Sequence, residues 1–76
     1  MHLTEEQLKE IESMSQLFFT PEEIAVNIEV DPYEFLLLIK SHSGPAYKAY
    51  MAGRLSSEIE LRKAVQLSAL HGSSPA

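Results

Sequence analysis

Residues 19–40 read FTPEEIAVNIEVDPYEFLLLIK, and this stretch decides the fold because it contains one pattern twice. The pattern is an apolar residue, a Thr or Asp, two further residues, a Glu and a second apolar residue, and it occupies 19–24 and 30–35. A third copy, with Gln in place of the Glu, occupies 3–8. Each copy predicts a helix start. The Thr or Asp caps the first turn, the Glu or Gln returns the hydrogen bond, and the apolar pair packs across the entry.

These start signals predict three helices, at about 4–18, 21–28 and 32–42. Pro21 and Pro32 fall at the first helical position, where the missing N–H costs nothing. Apolar residues at spacings of three and four indicate the inner faces of these helices. The predicted core residues are Leu8, Ile11, Met14, Phe18, Ile24, Ala25, Ile28, Phe35, Leu38 and Ile39.

A fourth helix is predicted to be much longer than the others. It follows the break at residues 43–45 and runs from about Pro45 to Leu70, with Gly72 as its stop signal. At about 1.5 Å per residue it spans roughly 39 Å, which is more than a small three-helix core can cover. Part of this helix is therefore expected to project. Its apolar residues lie on two faces, which indicates one contact with the core and another with a second chain.

The sequence thus predicts an all-α protein of four helices, with a helix-turn-helix in helices 2 and 3 and a long C-terminal helix. No alternating apolar pattern bounded by hairpin turns is present, so no strand is expected. We expect a single helical domain over residues 1–72, with the helix-turn-helix at 20–42, the long helix at 45–71 and a frayed tail at 73–76.

Composition argues against an enzyme. The chain has no cysteine, which excludes disulfides, thiolate metal sites and a cysteine nucleophile. His2, His42 and His71 are too far apart for a local metal motif. The carboxylates lie in the first turns of helices, with no nucleophile or glycine-rich phosphate loop nearby. We therefore expect no catalytic residue, no metal and no cofactor.

No targeting or membrane-spanning segment is recognisable. The longest apolar run, Phe35–Ile39, is far shorter than the roughly 20 residues that a membrane span needs. The N-terminus lacks the basic and apolar regions of an export signal. A cytoplasmic protein without membrane contact is expected.

The charge is unevenly distributed between the two halves of the chain. Residues 1–40 carry nine acidic and two basic residues, a net charge of −7, whereas residues 41–76 carry a net charge of +2. Affinity for DNA depends largely on Lys and Arg, so the first half is expected to repel it. The candidate phosphate contacts are Lys48, Arg54, Arg62 and Lys63. Arg54 and Glu58 are four residues apart and are expected to pair on the helix surface.

Residues 23–38 resemble the helix-turn-helix pattern. Ala25 is the small residue that lets the second helix cross closely, and Glu29 occupies the turn position that commonly holds a glycine in a left-handed conformation. The residues expected on the recognition face are Asp31, Tyr33, Leu36, Leu37 and Lys40. Base edges are usually recognised by Arg, Asn or Gln, so Leu36 and Leu37 fit a protein partner better than DNA.

A wider resemblance covers most of the chain. The acidic helix-turn-helix is followed by AYKAYMAGRL at 46–55 and by RKAVQLSALHGSSPA at 62–76. This arrangement resembles small prophage and mobile-element proteins of the terminase small-subunit type. The resemblance implies a DNA-recognition helix-turn-helix followed by helices that assemble subunits. A further helix usually follows in that family, and Ser74-Pro75 would begin it, so the chain is either a minimal or truncated relative or has a frayed tail.

Two functions are consistent with these features. The first is a non-catalytic helix-turn-helix accessory protein of a prophage or mobile element, which oligomerises through its C-terminal helix and binds DNA weakly through backbone contacts. The second is a protein-interaction and oligomerisation module that does not bind DNA. The expected partners are a second copy, DNA, or a protein at Leu36 and Leu37. The residues expected in a homodimer interface are Leu55, Ile59, Leu61, Val65 and Leu70.

Overall fold

The protein is all-α, as the sequence predicts. The computed structural model describes residues 1–70, with side chains described for residues 1–67. The described helices are α1 (Glu5–Gln16), α2 (Pro21–Asn27), α3 (Pro32–Lys40) and α4 (Gly44–Leu70), and residues 1–70 contain no strand. The predicted stop signal at Gly72 and the predicted frayed tail lie outside the described residues.

The first two helices begin with full capping boxes. In α1 the Thr4 hydroxyl accepts a hydrogen bond from the Gln7 backbone N–H at 3.1 Å, and the Gln7 side chain accepts one from the Thr4 N–H at 2.9 Å. Thr20 and Glu23 repeat this arrangement in α2, at 3.2 and 2.9 Å. Two backbone N–H groups of each first turn are thereby satisfied, which confirms the predicted helix starts.

The start of α3 differs from the prediction in one respect. The Asp31 carboxylate accepts a hydrogen bond from the Glu34 backbone N–H at 2.9 Å, so the cap itself is formed. The Glu34 side chain does not return the bond, and α3 has half of the predicted capping box. Glu34 is exposed, so its carboxylate remains in water.

Three of the helices end at a non-glycine residue in the left-handed conformation. Phe18, Glu29 and His42 have φ values of 65°, 61° and 57°. After α2, the backbone N–H of Val30 donates to the carbonyl of Ala25 at 3.0 Å, as in a Schellman motif. Glu29 therefore takes the backbone conformation that glycine usually supplies at this turn, at a cost of about 1 kcal/mol.

The hydrophobic core lies between all four helices. Its fully or nearly fully buried apolar residues are Ile11, Ile24, Ala25, Ile28, Phe35, Ile39 and Ala46. Leu8, Met14 and Leu38 are half-buried at its edge. The prediction that Phe18 belongs to the core is wrong. The chain leaves α1 at Leu17, and the left-handed turn at Phe18 directs it away, so that side chain is 46% exposed.

The close crossing of α1 and α4 depends on a glycine. A Cβ on Gly53 would overlap the hydroxyl of Ser15 and the carbonyl oxygen of Glu12, and would lie 3.0 Å from the Gln16 backbone nitrogen. Ser15 is fully buried here and donates to the Glu12 carbonyl at 3.0 Å. The Ser57 hydroxyl donates to the carbonyl of Gln16, so the contact continues to the end of α1.

Beyond Ser57, α4 extends past the other helices. All side chains of residues 58–67 are exposed, and the molecule measures 49 × 21 × 18 Å. We refer to residues 58–70 as the projecting segment of α4. At about 1.5 Å per residue it is roughly 20 Å long.

Candidate interaction surfaces

Helix α3 has two apolar faces, and only one of them is covered. Phe35 and Ile39 point into the core, at 0% and 8% exposure. The opposite face, spaced by three and four residues, is formed by Tyr33, Leu36, Leu37 and Lys40. We call these four residues the α3 outer face. Tyr33 is 70% exposed, Leu37 is 50% exposed and Leu36 is half-buried.

The α3 outer face includes four of the five residues predicted for a recognition helix. The fifth, Asp31, is the N-cap at the start of the same helix. Of these five side chains, Lys40 and Tyr33 can donate hydrogen bonds, whereas Asp31 accepts and the two leucines do neither. These five side chains form a mainly apolar surface with an acid at its N-terminal end. Side chains that discriminate bases are instead usually bidentate hydrogen-bond donors.

Acidic residues are frequent in the part of the chain that leads to the α3 outer face. Between Lys9 and Lys40 the chain has seven acidic residues and neither lysine nor arginine, and all seven acids are exposed. In the described part of the chain the one ion pair lies on α4, so none of these seven carboxylates has a cationic partner there. Glu29, Asp31 and Glu34 are the members nearest in sequence to the outer face.

Arg54 is held by aromatic rings rather than presented to solvent. Its Nη1 donates to the Tyr50 hydroxyl at 3.3 Å, and its guanidinium carbon lies 5.1 Å from the ring centroid of Phe18 and 5.8 Å from that of Tyr50. These distances fit cation–π contacts. The predicted Arg54–Glu58 pair is wrong because Glu58 instead pairs with Arg62 at 3.9 Å. That pair is largely exposed and contributes little to stability.

The remaining candidate phosphate contacts do not form one patch. Lys48, Arg62 and Lys63 are exposed on α4. Lys48 lies beside the core, whereas Arg62 and Lys63 lie on the projecting segment, about 21 Å further along the helix. A duplex would therefore have to follow α4 lengthwise to meet all three.

The predicted homodimer residues lie on the exposed second half of α4. Leu55, Ile59, Leu61 and Val65 are 49%, 50%, 57% and 70% exposed. The side chain of Leu70 lies outside the described residues. Leu67, which is not among the predicted interface residues, is 55% exposed. At about 100° per residue, Leu55 and Ile59 lie on a different side of the helix from Leu61 and Val65, so apolar surface surrounds much of its circumference.

The end of α1 adds to this surface. Leu17 is 71% exposed, and together with Phe18, Ser57 and Leu61 it lines a shallow groove between α1 and α4. The apolar spacing of the sequence predicts Phe18 in the core and indicates no role for Leu17. A shorter α1 is the reason for the difference, since the chain turns away from the helix axis at these two residues.

No group of three His, Asp or Glu side chains among residues 1–70 lies close enough together to hold a metal ion. None of the described helices is both long and apolar enough to cross a membrane. His42 instead packs its ring against Tyr47, with centroids 5.2 Å apart.

Comparisons with protein-family models, with curated proteins and with solved structures found no match for this chain. The described residues form several exposed apolar surfaces. Two are prominent: the projecting segment of α4 and the α3 outer face.

Proposed function

We propose that the protein is a non-catalytic, cytoplasmic interaction module that forms homodimers through the second half of α4. The observation that carries this proposal is the exposure of Leu55, Ile59, Leu61, Val65 and Leu67 on a helix that extends past its own core. Burial of apolar surface is favourable by about 25 cal/mol per Å². A second copy offers the same side chains, and a two-fold axis would cover those on the side of the helix that faces the mate on both chains at once.

The length of the projecting segment supports this proposal. An isolated helix shorter than about 12–15 residues is marginal in water, and most helical stability in proteins comes from packing. The projecting segment is of that length, its side chains over residues 58–67 are all exposed, and in the described chain it meets the end of α1 only along the groove at Leu61. A mate helix would supply the missing packing. The groove beside Leu17 and Phe18 would enlarge the contact toward the roughly 800 Å² per partner that stable interfaces bury.

Light scattering coupled to size-exclusion chromatography tests the proposal. The mass of the protein is expected to approach that of a dimer as its concentration rises through the micromolar range. Ile59→Ser should shift the protein toward monomer. Leu37→Ser is the matched control because both side chains are 50% exposed and Leu37 lies on α3. A monomeric mass at all concentrations would contradict self-association.

A second function is favoured by the turn between α2 and α3. We infer, as the alternative, a helix-turn-helix accessory protein of a prophage or mobile element, resembling the terminase small-subunit type, that binds DNA weakly through the backbone. The supporting observations are the buried Ala25 and the left-handed Glu29, both at positions where the helix-turn-helix pattern requires them. Its phosphate contacts would be Lys48, Arg62 and Lys63, with Arg54 engaged by Phe18 and Tyr50.

A salt titration of binding to a fluorescent DNA duplex separates the two functions. Phosphate contacts release counterions, so affinity must fall steeply as salt rises, and removal of one contact should lower the logarithmic slope by about 1. Lys63→Ala should show that reduction, and Lys9→Ala on α1 serves as the control. The absence of binding at low salt would exclude the DNA function and leave the interaction module.

A further inference from the structure

The α3 outer face is a largely exposed apolar surface on a helix whose other side is already buried. A helix with apolar residues on opposite faces is normally covered on both of them. Here Phe35 is fully buried, whereas Tyr33 and Leu37 on the other side are 70% and 50% exposed. An exposed tyrosine beside leucines, with charged residues around them, has the composition of a protein-interaction site.

The charge around this face determines which partner fits. Glu29, Asp31 and Glu34 are exposed near its N-terminal end, and Lys40 stands at its C-terminal end. Each acid would repel a phosphate backbone and attract lysine or arginine. Asp31 already accepts a hydrogen bond from the α3 backbone, but one carboxylate can accept several. The complementary partner is therefore apolar on one side and positively charged.

We propose that the α3 outer face binds an amphipathic, basic helix of another protein. Apolar side chains of that helix, spaced by three and four residues, lie over Tyr33, Leu36 and Leu37, as the anchor residues of amphipathic helices do in other complexes. Its lysines or arginines reach Glu29, Asp31 and Glu34. Because Lys40 marks the opposite end of α3, the positive residues of the partner are concentrated at the end that lies over the α3 N-terminus. This binding uses a different surface from α4 and does not depend on dimerisation.

The probe for this site is a fluorescent amphipathic peptide of leucine, alanine and lysine. A length of about 18 residues allows it to form a helix alone. Two further peptides serve as controls. One has the same composition in scrambled order, which keeps the charge and removes the apolar stripe. The other has glutamate in place of lysine, which keeps the stripe and reverses the charge. Fluorescence anisotropy at low salt is expected to show binding of the lysine peptide and of neither control.

Variants of the protein locate the site. Leu37→Ser and Tyr33→Ser should each weaken binding of the lysine peptide about tenfold, because each removes an apolar contact at the centre of the face. Replacement of Glu29 and Glu34 by glutamine should weaken it about fivefold at low salt and have less effect at high salt. Ile59→Ser, at the same exposure as Leu37 but on α4, should leave peptide binding unchanged. Circular dichroism confirms that each variant keeps its helices.

Four results would overturn the proposal. If the scrambled peptide bound equally well, the apolar stripe would not be required. If the glutamate peptide bound equally well, the positive charge would not be required. Equal loss in Leu37→Ser and Ile59→Ser would place the site elsewhere. DNA binding that is lost in Leu37→Ser, with no binding of the lysine peptide, would assign the face to nucleic acid. The peptide titration does not depend on the mass of the protein in solution. A failure to bind the lysine peptide is therefore distinguishable from a failure to dimerise.

Discussion

The two halves of α4 differ in what surrounds them, although one continuous helix connects them. The first half packs on α1 and α3, with Ala46 buried in the core and Gly53 against α1. The second half carries equally apolar residues, including Leu61 and Val65, and exposes them. The difference shows that helix formation and burial have separate causes here. Helix α4 is helical along its whole length, but the other helices cover only its first half.

The largest expected effect comes from truncating a core side chain, and it directly tests the difference between the buried and the exposed positions. Phe35→Ala removes the largest fully buried side chain and should destabilise the protein by about 3–5 kcal/mol. Ile59→Ala on the exposed half should change the stability of the dilute protein by less than about 0.5 kcal/mol. Urea denaturation followed by circular dichroism measures both. Similar losses for the two variants would mean that Ile59 is covered in the monomer.

The helix crossing gives the next largest effect. Gly53→Ala should destabilise the protein by about 1–3 kcal/mol, since the added methyl group overlaps Ser15 and the Glu12 carbonyl. A loss of stability would be informative, because glycine-to-alanine changes within an open helix usually stabilise it by about 0.5–1 kcal/mol. Thermal unfolding decides between the two signs. Adding Ser15→Ala to the variant should restore only part of the loss, because the backbone carbonyl remains in the way.

The smallest expected effect is stabilising and concerns the turn between α2 and α3. Glu29→Gly should raise the stability by up to about 1 kcal/mol, because glycine adopts the left-handed conformation of this turn without strain. Lys9→Gly, at an exposed position within α1, is the control and should lower stability by a similar amount. A lower melting temperature for Glu29→Gly would show that its side chain makes a stabilising contact that outweighs the strain.

The helix starts were predictable because their signals are local. Thr4, Thr20 and Asp31 cap the helices as the sequence indicates, and the inner faces of α2 and α3 follow from apolar spacing. Capping depends on residues only three positions apart, so no knowledge of tertiary structure is needed. The same applies to the long fourth helix. Between Ala46 and Leu70 the sequence contains no proline and a single glycine, Gly53.

The errors concern residues whose roles depend on distant parts of the chain. Phe18 fits the apolar spacing of α1, yet its contact with Arg54 arises only because α1 ends early and α4 passes beside it. Ser15 is polar and therefore did not suggest a core position, although its burial follows from the close approach of Gly53. A glycine inside a predicted helix was the available signal for that crossing.

Both proposed interaction surfaces were partly visible in the sequence. The leucines at 36 and 37 and the apolar residues of the long helix were recognised as candidates for partner contact. Their exposure, and the addition of Leu17 and Leu67 to the second surface, required the packed structure. The sequence pattern could not decide which of several apolar faces of α4 the core would cover.

Hydrogen exchange at two protein concentrations tests the central contrast most directly. In dilute solution the amides of residues 58–67 should exchange much faster than those of residues 46–53, because only the latter are packed against other helices. At high concentration the amides of 58–67 should become protected, and those of 46–53 should change little. Protection of 58–67 that does not depend on concentration would contradict the account, since that segment would then be stable without a second copy.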